Sequence, residues 1–214
     1  MIQEPDVSTT RPLRAFPPLP RILAGLAAGA TLATALAGCG WQAAAGGSDT
    51  FVFATGKDIS CLDPHVNGDM PQASIAANYL DSLVSQDSGG AIRPWLATAW
   101  SVSGDGLTYT FTVRDDVWFT DGTQLTAEAV KANLDHMVDP DTQSGTAGGY
   151  LKPYESTQVV DPTTAVVTLN RPYAAFLEVL AQPFLGIQSP AALKRPQVEN
   201  CHSPVGSGPF KILD

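Results

Sequence analysis

Residues 103–130 read SGDGLTYTFTVRDDVWFTDGTQLTAEAV, and two periodicities follow one another inside them. Leu107, Tyr109, Phe111 and Val113 alternate with Thr108, Thr110, Thr112 and Arg114. That period of two predicts a strand with one buried face. Gly104-Asp105-Gly106 precedes it with turn chemistry, and Asp121-Gly122 closes a second short strand, Val117-Trp118-Phe119. Glycine supplies the positive φ that such tight turns require. Thr126 then caps a helix predicted to run to about Met137, with Glu128 in the first turn, where the helix dipole favours a negative charge. Asp115 and Asp116 invite a paired-carboxylate reading, but neighbours along a strand point to opposite faces and cannot converge on one bond.

Upstream, Phe51-Val52-Phe53-Ala54 reads as a first strand. Residues 55–73 are dominated by Gly, Asp, Pro and Asn and read as loop. Ile75, Tyr79, Leu80 and Leu83 fall at helical spacing within residues 74–84. Asp87-Ser88-Gly89-Gly90 reads as a turn. Downstream, residues 139–150 read as loop, and residues 158–160 and 165–169 as a hairpin about Asp161-Pro162-Thr163. Residues 173–180 and 190–194 read as helices, and residues 205–213 as a glycine-punctuated strand. Trp95, Trp100, Trp118 and Phe119 read as core. Strands and helices mix without strict alternation, so the fold class is α/β, or mixed α+β.

Near the start, Arg11, Arg14 and Arg21 precede an uncharged stretch, ILAGLAAGATLATALAG at residues 22–38, and Cys39 follows at once. Basic region, apolar region and small-residue boundary are the order of a secretory signal. A transmembrane helix is the other reading, but the stretch sits at the lower end of the spanning length and no basic stop-transfer cluster follows. Leu36-Ala37-Gly38-Cys39 resembles the lipobox of bacterial lipoproteins, which implies cleavage before Cys39 and acylation of its sulfur. An acylated Cys39 would hold the protein on the outer face of the cytoplasmic membrane without spanning it. Residues 39–49 read as a flexible tether. With Cys39 lipidated, Cys61 and Cys201 remain, and two cysteines in an oxidising compartment suggest one disulfide; two buried free thiols are the alternative.

The remaining chemistry is sparse. His65, His136 and His202 lack ligand spacing, so no metal site and no cofactor are predicted, and His65 and His202 read as surface or capping residues. Twelve basic against 21 acidic residues, a net charge of -9, argue against a nucleic-acid partner. An apolar fraction of 44% supports a buried core. A lipid-anchored secreted hydrolase is a competing reading, but none of the Gly-x-Ser-x-Gly, His-Glu-x-x-His or Ser-x-x-Lys motifs is present.

The block from Asp63 to Leu213 resembles the peptide/nickel class of extracellular solute-binding proteins, the dipeptide and oligopeptide receptors of ABC importers. LDPH at 62–65, YLDSLV at 79–84, PWLATAW at 94–100, residues 103–130 and VGSGPFK at 205–211 carry the resemblance, in family order. Ser207 stands where the family usually has threonine.

The resemblance implies a periplasmic-binding-protein-like type II fold, with solute between two hinged lobes, and a binding protein rather than an enzyme. Members are much longer than this chain, so the chain is expected to hold an incomplete first lobe. The organisation it implies is a signal peptide at 1–38, the tether at 39–49, a first part of lobe one at 50–82, an inserted subdomain at 83–189 and a returning strand at 190–214. It places Cys61 and Cys201 in the same lobe. It also brings the loop after Asp63-Pro64 toward the ligand, making Asn67, Gly68, Asp69 and Met70 candidates for the cleft mouth, with Tyr150 at the end of the weaker candidate stretch 144–150. An ordinary surface loop is the other reading of these residues. The implied partners are a peptide or other small solute, such as a nickel chelate, haem or oligosaccharide, and ABC permease subunits, with the protein itself a monomer. Residues 40–214 alone are expected not to bind solute with useful affinity, because a two-lobed receptor draws contacts from both faces.

Overall fold

The structure, a computed structural model, describes Val52, residues 54–66 and residues 68–213. The first element is α1 (Met70–Ala76), followed by an antiparallel hairpin of β1 (Val84–Gln86) and β2 (Ile92–Pro94). Gly90 makes that turn at φ +85°, a conformation that glycine adopts without penalty. β3 (Ala97–Val102), β4 (Thr108–Val113), β5 (Tyr154–Asp161) and β6 (Thr164–Leu169) form an antiparallel sheet in the order β3-β4-β6-β5.

The alternation read in residues 107–113 sets the two faces of this sheet. Tyr109, Phe111 and Val113 of β4 and Ala165, Val167 and Leu169 of β6 are buried. In register, Tyr109 faces Val167 and Phe111 faces Ala165. Helix α2 (Ala127–Val138) packs on β5 and β6. Its Ala127, Val130, Leu134 and Met137 make a buried stripe at helical spacing. Phe111 is fully buried, which contributes about 2–3 kcal/mol relative to exposure. The other face presents Thr108, Thr110, Thr164 and Thr168, whose β-branched side chains suit a pleated, half-exposed surface.

Around this sheet lie α3 (Ala147–Tyr150), α4 (Phe176–Leu180), α5 (Pro190–Leu193) and α6 (Gln197–His202), with 3-10 turns at Pro140–Thr142 and Pro183–Leu185. Phe176 of α4 meets Tyr109 edge-on, ring centroids 4.8 Å apart. Among the described residues no helix is long and apolar enough to cross a membrane.

Several sequence expectations need correction. Phe51 and Phe53 of the first strand lie outside the described residues, while Val52 and Ala54 have no regular structure. The helix expected over 74–84 begins earlier and stops at Ala76. Asp69 caps its start, and Asn78 Nδ2 donates to Ser74 O (2.9 Å) and Ile75 O (3.1 Å) at its end. Tyr79 and Leu80 are buried, as their spacing suggested, but beneath the 206–210 segment rather than on a helix. Gly208 N donates to Tyr79 O and Phe210 N to Asn78 O, both at 3.1 Å. Those bonds pin residues 208–210 to the backbone of residues 78–79, but the chain bends at residues 207–209 and no regular strand forms. The strand expected at 117–119 reduces to one bridge, Trp118 to Gln124, because Gly122 at φ +85° turns the chain back. The helix expected from Tyr173 begins at Phe176.

Trp95 is 52% and Trp118 59% exposed, so neither is core; Phe119 is buried and Trp100 packs half-buried against the core. The Trp95 indole N–H donates to Asp81 Oδ1 (2.9 Å), a polar anchor that holds the ring at the surface.

Candidate functional site

Leu62-Asp63-Pro64-His65 runs through the interior, where Asp63 is 1% and His65 0% exposed. A buried carboxylate needs donors. Asp63 Oδ1 accepts from His65 N (2.9 Å) and Gln188 Nε2 (2.8 Å), and Oδ2 accepts from Asn200 Nδ2 (2.7 Å). Gln188 N donates to Asn133 Oδ1 (2.8 Å), and Asn133 Nδ2 donates back to Gln188 O (2.8 Å). Asn200 Nδ2 also donates to Gln188 Oε1 (2.9 Å), and Arg195 Nη2 donates to Asn200 Oδ1 (2.9 Å).

His65 is thereby held in one tautomer. Nε2 lies 2.8 Å from Gly186 O, which can only accept, so Nε2 carries the proton. Nδ1 then accepts from Gln188 Nε2 (3.2 Å). Burial lowers the His65 pKa, against the attraction of Asp63. The reading of His65 as a surface or capping residue is therefore corrected. A disulfide joins Cys61 and Cys201 across a separation of 140 residues, with Cα atoms 4.4 Å apart, and Leu62 N donates to Cys201 O (2.7 Å). One covalent bond and one polar cluster thus tie the same loop to α6.

The loop emerges from this anchor at Gly68. A Cβ on Gly68 would lie 2.8 Å from Thr146 Cβ and 3.2 Å from Phe184 Cβ, so the missing side chain lets the loop press onto both. Tyr150 stacks on Phe184 with ring centroids 5.4 Å apart. Phe184 is buried, while Tyr150 remains 46% and Met70 74% exposed. Asp69 is committed locally: it accepts from Gln72 N (3.0 Å) as the α1 cap and pairs with Lys57, whose hydrogen bond holds its carboxyl below the usual carboxylate range. Asn67 and Cys39 lie outside the described residues. Of the residues singled out from sequence, Gly68 and Tyr150 therefore share one neighbour, Phe184, with Met70 exposed two positions beyond Gly68.

A cavity of about 170 Å³ is lined by Asp63, His136, Asp139, Thr142, Arg195 and Asn200, among others. His136 Nδ1 meets Thr142 Oγ1 (3.1 Å), and its buried Nε2 has no hydrogen-bond partner. Among the described residues no group of three or more His, Cys, Asp or Glu could hold a metal ion. Sequence reading missed Phe184, Gln188 and Asn200. Phe184 follows a proline in an apolar run, and the two amides sit in segments without periodicity, so no local signal marks them.

Comparison with known proteins agrees with this architecture. The family described as Bacterial extracellular solute-binding proteins, family 5 Middle, matches residues 91–214. The glutathione-binding protein GsiB of Escherichia coli O6:K15:H31 is 37% identical over 188 residues, which is 85% of this chain and 34% of that protein. Among solved structures, DppA from Helicobacter pylori in complex with peptide STSA superposes with a TM-score of 0.63 at 31% identity, over 72% of this chain and 34% of that one. NikZ from Campylobacter jejuni in complex with Ni(L-His) superposes with a TM-score of 0.65 at 27% identity, over 72% and 31% respectively. The chain spans about a third of the length of the curated relatives it matches. The fold is that of the type II periplasmic binding proteins, over part of their length, and these relatives bind solutes rather than catalyse reactions. With its central stretch inside the family match and its sheet superposing on solved members, the chain belongs to the family 5 bacterial extracellular solute-binding proteins.

Proposed function

We propose that this chain supplies one wall of the solute cleft in the substrate-binding component of an ABC importer, capturing a peptide or peptide-like solute outside the membrane. The observation that carries the reading is the meeting of Gly68 with Thr146 and Phe184, with Tyr150 stacked on the same ring. It leaves an exposed aromatic face and, at Met70, an exposed thioether beside a loop. Backbone groups and apolar side chains together suit a solute recognised through its main chain, with broad side-chain tolerance. Support for the solute class comes from the relatives, one named for binding glutathione and one solved with the peptide STSA. Residues 1–38 act as a signal peptide, Cys39 carries the lipid, residues 39–49 form the tether, and permease subunits receive the solute.

Uptake by cells tests this reading. Deleting the gene should abolish import of labelled glutathione or of short peptides, and the intact gene should restore it. A Cys39→Ser version should restore it poorly while shifting the protein from the membrane to the soluble fraction. Unchanged peptide and glutathione uptake, with loss of nickel-chelate, haem or oligosaccharide uptake instead, would contradict the solute class.

A further inference from the structure

Three of the stretches that carry the family resemblance meet at Asp81. Its Oδ1 accepts from the Trp95 indole N–H (2.9 Å), and its Oδ2 accepts from Ser207 Oγ (2.7 Å). Its backbone is fixed as well, because Ile187 N donates to Asp81 O (2.8 Å). Two neutral donors thus hold the carboxylate in place. Among the described residues no lysine, arginine or histidine forms an ion pair with it. Arg114 lies within reach of its field but gives Nε and Nη2 to Asp116, both at 2.8 Å.

A cavity of about 220 Å³ is lined by Leu80, Asp81, Val84, Gln86, Trp95 and Pro183, among others. Leu80 and Val84 are buried and give it an apolar base. Trp95 is half-exposed, and with its N–H edge committed to Asp81 the indole has ring surface left for the cavity. Gln86 Nε2 donates to Gly90 O (3.0 Å), which leaves Gln86 Oε1 to accept. Every polar feature here attracts a cation: the indole through the negative potential of its face, the carboxylate through its charge, the amide oxygen as an acceptor. The volume is below the roughly 300–1,000 Å³ of whole-ligand pockets, so a group fits rather than a whole solute.

We propose that the cavity between Asp81 and Trp95 is a site for an alkylammonium group. The N–H groups of the cation donate to Asp81 and to Gln86 Oε1, its charge lies against the indole, and its methylenes cover Leu80, Val84 and Pro183. Trp95 has two roles, as one wall of the site and as the donor that aims the Asp81 carboxylate. Neither Gly68 nor Tyr150 lines this cavity, so the site goes beyond the rim reading and stands whether or not the rim binds solute. Trp118 is 59% exposed and lies outside the cavity, which makes it an internal control.

Proton–nitrogen NMR spectra of the indole N–H groups read the site, with the Trp95 peak identified by its absence in Trp95→Phe. n-Butylammonium chloride, exchanged for sodium chloride at constant ionic strength, should shift the Trp95 peak saturably with a Kd on the order of 1–10 mM and leave Trp118 in place. n-Butanol and sodium butyrate should give no saturable shift. Asp81→Asn keeps an oxygen for the Trp95 N–H and an amide for the Ser207 hydroxyl but removes the charge, so affinity should fall at least about tenfold. Trp95→Leu keeps the carboxylate and removes the ring at a half-exposed position, so it stays measurable if Asp81→Asn does not fold. Followed at the Asp81 amide, its affinity should fall at least about fivefold.

A Trp95 shift matched by n-butanol or by Trp118, no saturable shift with n-butylammonium, or unchanged affinity in both variants overturns the proposal. The tripeptide acetyl-Gly-Lys-Gly-amide distinguishes the source of the cation. Binding tighter than that of n-butylammonium assigns the site to a basic side chain of a peptide, and weaker binding assigns it to a small amine.

Discussion

Asp63 Oδ2 and Asn200 Nδ2 lie 2.7 Å apart across 137 residues of chain. The pair fastens a loop near the start of the described region to a helix near its end. The residue after Asn200 is Cys201, whose disulfide reaches Cys61, two positions before Asp63. Covalent and polar ties thus close the same long loop from adjacent positions.

Asp63→Ala should cost about 3–5 kcal/mol in urea denaturation, because it leaves the amide donors of Gln188 and Asn200 and the His65 N–H buried without an acceptor. Asp63→Asn keeps one acceptor oxygen and should cost less, about 1–3 kcal/mol. A loss under about 1 kcal/mol for the alanine variant would mean that the cluster contributes little to the fold.

Removing the disulfide with the double variant Cys61→Ser, Cys201→Ser should lower stability by about 2–5 kcal/mol, since the closed loop is long. Reductant added to the native protein should reproduce the loss and leave the double variant unaffected. A variant that melts with the native protein would show that the bridge contributes nothing beyond the polar cluster.

Acidification should weaken the fold through His65 and His136, whose pKa values burial lowers. The unfolded chain binds protons at these rings from about pH 6.5, before the folded chain does. Their contribution is therefore complete above about pH 6.5 and lost as pH falls from there through the lowered folded values. Melting temperatures of the native protein and of His136→Gln between about pH 7.5 and 5 check this: the variant should lose less. Equal pH slopes would remove His136 from the account.

Gly206→Ala should be severe and Gly56→Ala mild. A Cβ on Gly206 would fall 2.0 Å from Tyr79 O, whereas one on Gly56 meets nothing within 4 Å. Chemical denaturation should show a loss of about 2–4 kcal/mol for the first and less than about 0.5 kcal/mol for the second. Comparable losses would mean that the 206–208 segment does not press on Tyr79.

Strand β4 and the β5–β6 hairpin were legible because their signal is local, whereas β3 and the β1–β2 hairpin were not read as strands. The threonine alternation of residues 108–112 and the turn glycines Gly90, Gly106 and Gly122, all at positive φ, act within a few residues. The cap at Asp69 and the end at Asn78 were also local but lay inside residues read as loop or as helix, so the helix was placed too late. What the sequence could not display was convergence. Gln188, Asn200 and Phe184 act on residues far away in the chain, and nothing in their own neighbourhoods marks them. Trp95 and Trp118 misled for the same reason, since composition assigns tryptophan to the core and only tertiary placement puts these two at the surface.

Titration of the ¹⁵N-labelled protein with a mixture of di- to pentapeptides at millimolar concentration, followed amide by amide, asks where solute meets this chain. Saturable shifts should converge on Gly68, Asp69, Met70, Thr146 and Tyr150, even where affinity is weak. Shifts confined to the threonine face of β4 and β6, or no saturable shift anywhere, would contradict the assignment of the solute-facing rim.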